Sequence, residues 1–379
     1  MLIRNYVITH IGFDAPGDPV FCPLQVGAAL HEPLGYLRDD TGDQISEKNP
    51  TFCELTCLYW IWKNDRDSDI VGTCHYRRYP VKKRAGGMGE TYLGKEDIRR
   101  ILCDEDYDVI TSSLLELPGS YYDGFSVDHH QKDLICCEQV IRELYPGDLD
   151  TFSRLVRENH TYFGNILIAK KPVYDEYCKW LFSILFEVEK RTDMTGYDGY
   201  TRRLYGFLSE FLLYVYVQSR VLRPYECRIA IIGEKAETKE AKEKLALHFR
   251  KRDWKGAKES LLACLQKKPD LLMEASDIGG ELRLAMQVIA TCEHQAENGQ
   301  TILNEEQDLH ALISRMRSLN RAVSVMNSVE NMGNEAGRTP GCEISGSKQE
   351  MDVNTARRIV EREGDIAVRI AKMIMTGQQ

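Results

Sequence analysis

A short apolar run, Ile70-Val71-Gly72-Thr73-Cys74, leads directly into His75-Tyr76-Arg77-Arg78-Tyr79. A strand end carrying an imidazole, two guanidiniums and two phenols suits an anionic ligand. Guanidinium forks match phosphate oxygens, and open α/β sheets bind ligands beyond the carboxyl ends of their strands. The same run also reads as an exposed basic turn paired with Asp65, Asp67 or Asp69, an arrangement that contributes little to stability. A second group of polar residues, Arg202, Arg203 and Glu210, interrupts a pattern of large apolar residues over 200–218. Polar groups on so apolar a helix need partners.

At 379 residues the chain exceeds one average domain, and two units are expected. A net charge of -9 argues against general affinity for nucleic acid, which demands an electropositive face, so an anionic ligand has to be held by a local cluster. The twelve cysteines are scattered, without repeated zinc spacing or a secretory leader before them, and read as reduced thiols of a cytoplasmic protein. No window reaches the roughly eighteen uncharged apolar residues of a membrane span. The longest apolar stretch, 207–217, contains Glu210, so any membrane contact is expected to be peripheral, at the inner face.

These side chains need a frame. Tyr6-Val7-Ile8-Thr9 reads as a first strand, and the Gly/Pro-rich stretch 12–23 after it reads as a loop, so the strand opens onto His10. A polar segment over 39–50 precedes a helical pattern over 52–63, with Leu55, Leu58, Tyr59 and Trp62 at helical spacing. Asn49 or Thr51 caps it, and Glu54 completes a capping box with Thr51. A strand over 69–74, a helix over 95–103 and a strand over 107–111 continue the alternation of a mainly parallel, layered α/β sheet. Residues 112–128 lack periodicity and read as a long loop over the site. A helix over 133–144, a polar-tipped strand over 162–169 and a helix over 173–190 follow.

From about residue 233 aromatics nearly vanish, and the pattern becomes charged amphipathic helices over 238–266, 271–297, 305–326 and 354–375. The expected organisation is an α/β domain over 1–232, a helical extension over 233–330, a flexible linker over 331–352 and a last helix over 353–379. The segment from Ala246 to Asp270, with Trp254-Lys255-Gly256-Ala257, resembles one helix-turn-helix repeat, and one copy does not make an array. The tail reads as an interaction or homo-oligomerisation element.

Several segments occur in the order found in a known family. They are Leu37-Arg38-Asp39-Asp40-Thr41-Gly42-Asp43, Asn49-Pro50-Thr51-Phe52-Cys53-Glu54, Tyr59-Trp60-Ile61-Trp62-Lys63-Asn64, Gly72 to Tyr79, Gly164-Asn165-Ile166-Leu167-Ile168, the run from Tyr174 to Phe182, and Gly206-Phe207-Leu208-Ser209-Glu210. Over residues 1–232 the chain resembles a family from bacterial capsular and exopolysaccharide gene clusters, long described only as a domain of unknown function. The resemblance implies a nucleotide-sugar-dependent glycosyltransferase with a Rossmann-like core of the GT-A type. It would use a UDP-sugar, galactofuranose among the candidates, to extend a cell-surface glycan on a glycan or lipid-linked glycan acceptor.

Glycosyl transfer of this kind needs a clamp for the departing diphosphate, a base for the acceptor hydroxyl if configuration inverts, and a pocket for nucleobase and sugar. GT-A enzymes commonly hold Mn²⁺ or Mg²⁺ with an Asp-x-Asp at a central strand end. Here that position is filled by His75-Tyr76-Arg77-Arg78, so guanidinium and imidazole are expected to replace or supplement the metal. Asp40 and Asp43 offer two carboxylates, but before a helix, and a metal stays unassigned. Glu210 is the candidate base, since a carboxylate on an apolar helix is poised for proton abstraction. An internal salt bridge to Arg202 or Arg203 explains it equally simply. Asp198, in Gly196-Tyr197-Asp198-Gly199-Tyr200, is a second candidate, with a turn or cap as its alternative. Thr9, His10, Asp40 and Asn49 are expected near the base and ribose. His129, His130 and Asp133 could ligate metal or face the acceptor, although a helix start explains them too. Gly164, Asn165 and Arg203 complete the sugar pocket. A non-catalytic sugar- or nucleotide-binding module with a helical interaction tail is the rival reading. A phosphotransferase is disfavoured by the absence of a G-x-x-x-x-G-K-[ST] loop.

Overall fold

The structure, a computed structural model, describes residues 1–82, 91–273, 276–296, 299–334 and 351–375, so 335–350 of the expected linker lie outside the described residues. The chain divides into two compact units, Met1–Gly233 and Glu234–Gln379.

The first unit is built from strands β1 (Ile3–Thr9), β2 (Phe21–Gln25), β3 (Leu37–Arg38), β4 (Ile70–His75), β5 (Arg78–Pro80), β6 (Val109–Ser112), β7 (Leu115–Glu116), β8 (His160–Thr161), β9 (Leu167–Lys170), β10 (Pro224–Cys227) and β11 (Ile229–Ile231). The main sheet runs β10-β6-β9-β4-β1-β2-β3, with β5 joined to β4 and β11 to β5. β1 is parallel to β2 and β4, and β6 to β10, whereas β9 lies antiparallel between β4 and β6. The sheet is therefore mixed at its centre. The inversion of β9 has a consequence for the site, because the start of β9 reaches the same edge as the carboxyl ends of β1 and β4.

Alternation of side chains along the strands sorts the core. Tyr6, Ile8 and Val71 face Leu58, Ile141, Leu181 and Phe211, which come from helices Leu55–Asn64, Gln131–Leu144, Lys171–Arg191 and Leu204–Ser219. Ile3, Val7, Ile70 and Cys74 face the other way, against Ile98, Ile101 and Leu102. Gly72 lies on this second side, where a Cβ would come within 2.6 Å of Ile168 Cγ1 on β9.

Local chemistry moves several boundaries. The helix expected over 52–63 is two, Asn49–Phe52 and Leu55–Asn64, separated by Cys53 at φ 52. Pro50 starts the first helix a turn earlier than expected. Thr51 is consequently inside it, bonding Lys48 O, and no Thr51–Glu54 capping box forms. The segment expected as a loop over 112–128 holds β7, paired with β8, and a helix Tyr121–Asp128 capped by Ser120. The strand expected over 162–169 is confined to β9, since Gly164 and Asn165 adopt φ 88 and 49 and cannot extend it. Arg202 and Arg203 lie in a 3-10 turn, Thr201–Arg203, ahead of the helix carrying Glu210.

The second unit is all-helical among its described residues: Ala236–Arg250, Trp254–Lys267, Glu281–Gln295, Leu309–Asn334, Val353–Glu363 and Asp365–Met375. The helix expected over 238–266 is broken at Arg252 (φ 57), after which Asp253 caps the next helix by accepting from Gly256 N at 2.9 Å. The one expected over 354–375 is broken at Gly364 (φ 50). Leu245, Phe249, Val288, Leu312 and Ile370 share its core. Among the described residues no helix is long and apolar enough to cross a membrane.

The contact at Gly72 yields a test. Gly72→Ala should destabilise the protein by about 1–3 kcal/mol through overpacking, measured by urea denaturation. Adding Ile168→Ala, which removes both γ carbons that the new Cβ meets, should make the two losses less than additive.

Candidate active site

The turn before β9 is the centre of the site. A left-handed backbone costs least for Gly and is tolerated by Asn, which is the order of residues at 164 and 165. The sheet holds the turn from one side: Thr73 Oγ1 donates to Asn165 O at 3.1 Å, and His75 Nε2 lies 2.8 Å from Gly164 O. A carbonyl only accepts, so His75 carries its proton on Nε2. Cross-strand pairing places Arg78 of β5 opposite His75, and a Cβ at Gly164 would sit 3.3 Å from Arg78 Nη1.

Two carboxylates meet the turn from the other side. Gly164 N donates to Glu210 Oε1 at 2.8 Å, and Asn165 Nδ2 donates to Glu54 Oε1 at 2.6 Å. The Asn165 side chain cannot flip without loss, since Nδ2 also reaches Gly206 O at 3.2 Å while Oδ1 accepts from Ser209 Oγ at 2.9 Å. Arg203 Nε faces Cys53 Sγ at 3.4 Å, and its guanidinium lies 5.2 Å from the Phe207 ring centre.

Burial pushes Glu210 up to about 7, and the Glu54 charge adds to this; the Gly164 N–H, Arg78 and Arg203 pull the other way. Burial lowers His75, with Glu54 opposing and the two arginines reinforcing the shift. A carboxyl poised near neutrality beside two guanidiniums can take a proton from a hydroxyl while the cations meet an anion.

The structure thus gathers His75, Arg78, Gly164, Asn165, Arg203 and Glu210. Arg77 is a correction: the hairpin between β4 and β5 turns its guanidinium to the carbonyls of Ile232 and Gly233, at 3.1 and 2.5 Å. It is not the twin of Arg78. The basic-turn alternative also fails for Asp65 and Asp69, which are engaged by Arg4 at 3.0 Å and by Leu2 N at 2.6 Å.

Asp198 caps the turn that follows it. It is exposed and accepts from Tyr200 N, Thr201 N and Thr201 Oγ1 at 2.9, 2.7 and 2.9 Å. Those bonds hold its carboxyl below the usual range, the Thr201 N–H first among them. Asp40 is bound by Arg38 at 3.0 and 2.6 Å, and the exposed Asp43 accepts from Tyr59 at 3.0 Å. Asn49 donates to Cys53 O at 2.9 Å, and Thr9 Oγ1 closes a turn with Ile11. His10 and Tyr76 do meet, edge to face with ring centres 5.5 Å apart, and Phe13 packs on Tyr76 at 6.0 Å.

His129, His130 and Asp133 do not converge on one point. His129 packs against Phe207, Phe125 and Tyr200, at 4.3, 4.7 and 5.4 Å between ring centres, and burial with Arg203 drives it down to about 4. His130 lies on Tyr197 at 4.1 Å, and Tyr197 O–H donates to the Asp133 carboxylate, 2.8 Å from each oxygen. Among the described residues no group of three or more His, Cys, Asp or Glu side chains is placed to hold a metal ion. The strand-end donors, an imidazole bonded to Gly164 O and a guanidinium, do not fit a divalent cation.

Glu54 and Ser209 are members that sequence reasoning assigned elsewhere or passed over. Asp39, also passed over, is a buried staple that accepts from Gly27 N, Ala28 N, Ser46 Oγ and Thr56 Oγ1 at 2.9, 2.9, 2.5 and 2.5 Å. Nothing in its spacing separates it from Asp40.

Residues 4–221 match the family described as a domain of unknown function, DUF4422. The chain belongs to that family. It is also similar to the apo structure of WbbM, a bifunctional glycosyltransferase, with a TM-score of 0.57 and 25% identity over 66% of this chain and 52% of that one. The chain thus spans about half the length of that protein. No curated protein matches it. The fold is α/β of the GT-A-like type followed by a helical C-terminal part.

The depressed His129 makes a stability prediction with a defined sign. The unfolded imidazole takes up a proton near pH 6.5 and the folded one only near 4, so His129 destabilises the fold progressively as pH drops through that window, by at most about 3 kcal/mol. In urea denaturation series, His129→Phe should flatten the loss of stability between those pH values.

Proposed function

We propose that the chain is a glycosyltransferase that moves a sugar from a nucleotide-sugar donor to a hydroxyl of a glycan acceptor, with Glu210 as general base. The observation that carries this reading is the desolvated Glu210 carboxyl held beside Arg78 and Arg203 at the carboxyl edge of the sheet. Glu210 accepts the acceptor O–H proton, and the freed oxygen forms its bond to the anomeric carbon. The bond from that carbon to the diphosphate oxygen breaks, its electron pair leaving on the diphosphate. Arg78 and Arg203 meet the negative charge that develops there, in place of a paired Arg77 and Arg78.

The aromatic group of His10, Phe13 and Tyr76 at the end of β1 and β4 offers rings for a nucleobase. A UDP-sugar is the donor proposed, galactofuranose the sugar to test first, and a cell-surface or lipid-linked glycan the acceptor. No step is assigned to Mn²⁺ or Mg²⁺, because the donor set at the strand end does not suit one.

The test is a screen of UDP-sugars for turnover and for thermal stabilisation, with and without Mn²⁺ and EDTA. Turnover that survives EDTA is expected, and strict metal dependence overturns the guanidinium clamp. Glu210→Gln should lower kcat by about 10²–10⁴-fold with the fold intact by circular dichroism. Unchanged transfer by that variant removes Glu210 as base. Absence of turnover with every UDP-sugar, alongside binding of UDP, identifies a binding module instead.

A further inference from the structure

Glu54 has no role in the steps above, yet the fold goes to some length to bring it to them. Cys53 lies at φ 52, ψ -131, a combination rarely adopted by residues with a side chain and costing on the order of 1–3 kcal/mol. This break stops the first helix at Phe52 and starts the next at Leu55, turning Glu54 toward Asn165. Asn165, itself at φ 49, is held by Thr73 at its carbonyl and by Ser209 and Gly206 at its amide. The strained Cys53, next to Glu54, and the left-handed Asn165 thus bring segments far apart in the chain to one hydrogen bond. Strain retained in this way concentrates at functional sites.

The same turn bonds Glu210 through the neighbouring peptide N–H, so adjacent residues each hold one carboxylate. We propose that Glu54 is a positioning residue for catalysis, a second carboxylate that the same turn holds next to Glu210, and that Asn165 sets its place. This rests on the glycosyltransferase reading for its purpose, but not for its physics. Two like charges in one desolvated site disfavour double ionisation, and proton uptake by Glu210 relieves that repulsion as the acceptor is deprotonated. The other groups facing Glu210 are Arg78 and Arg203, which oppose the effect, Tyr121 of the helix Tyr121–Asp128, and Cys53, while His75 faces Glu54 and the same two arginines.

The test reads the proton directly. In the full-length protein with ¹³C-labelled glutamate carboxyls, the Glu210 resonance is assigned through Glu210→Gln and titrated in wild type, Glu54→Gln and Asn165→Gly. The glycine variant keeps the left-handed backbone and removes only the amide. The wild-type midpoint is expected near 7. It should fall by about one unit in Glu54→Gln, which raises the ionised fraction at pH 6 about fivefold, and in the same direction in Asn165→Gly. The acid limb of the kcat/KM profile should move with it. Glu54→Asp, which keeps the charge but draws it back, should give a smaller shift and serves if the Gln variant misfolds. A Glu210 midpoint unchanged in the folded Glu54 variants overturns the proposal. Should the midpoint shift while wild type turns over no UDP-sugar, the carboxylate coupling stands and the glycosyltransferase reading falls.

Discussion

Much of the site depends on one short piece of backbone, the left-handed turn at Gly164 and Asn165. It receives the sheet through Thr73 and His75, the long apolar helix through Gly206, Ser209 and Glu210, and the break after Phe52 through Glu54. A right-handed or extended backbone at these two residues would point the peptide N–H and the amide elsewhere and leave both carboxylates without a donor. The inversion of β9 is what makes the turn available. Had that strand run parallel to β4, its start would lie at the opposite edge, away from His75 and Arg78.

The charges of the site face one another across neutral hydrogen bonds. Glu54 and Glu210 are met by Arg78 and Arg203, but the bonds to the carboxylates come from a peptide N–H and an amide, while Arg203 Nε faces a thiol. Neutral donors thus steady both carboxylates. Tight Arg–carboxylate pairing would have to be broken before a phosphate could bind. Arg38 and Asp40 show what such pairing looks like when it is structural: both forks of the pair are bonded, and the side chains serve the loop around Ala28.

The layered α/β core and the helical second part were legible from alternating apolar patterns and from the loss of aromatics after about residue 233. Glu210 stood out for the same reason, as a charge on an apolar helix. What periodicity does not report is sign of φ. Cys53, Asn165 and Arg252 are ordinary residues in left-handed conformations, and each cut a segment that reads as continuous. Because Cys53 was invisible as a break, Glu54 read as part of a capping box rather than as a site carboxylate. The pairing of Arg77 with Arg78 failed for a related reason: adjacency in sequence is not adjacency of side chains in a hairpin.

The strain at Cys53 and Asn165 also bears on why these residues stand where glycine would be easier. Glycine at 165 would keep the φ but lose the donor to Glu54 and the acceptor for Ser209. At 53 it would lose the thiol facing Arg203. Each side chain therefore offsets its backbone cost through a contact within the site rather than through burial of apolar surface. A fold under selection for stability alone has cheaper solutions at both positions. Unfavourable backbone at Cys53 and Asn165 beside a desolvated carboxyl is the pattern of a site maintained for chemistry rather than of a scaffold optimised for stability.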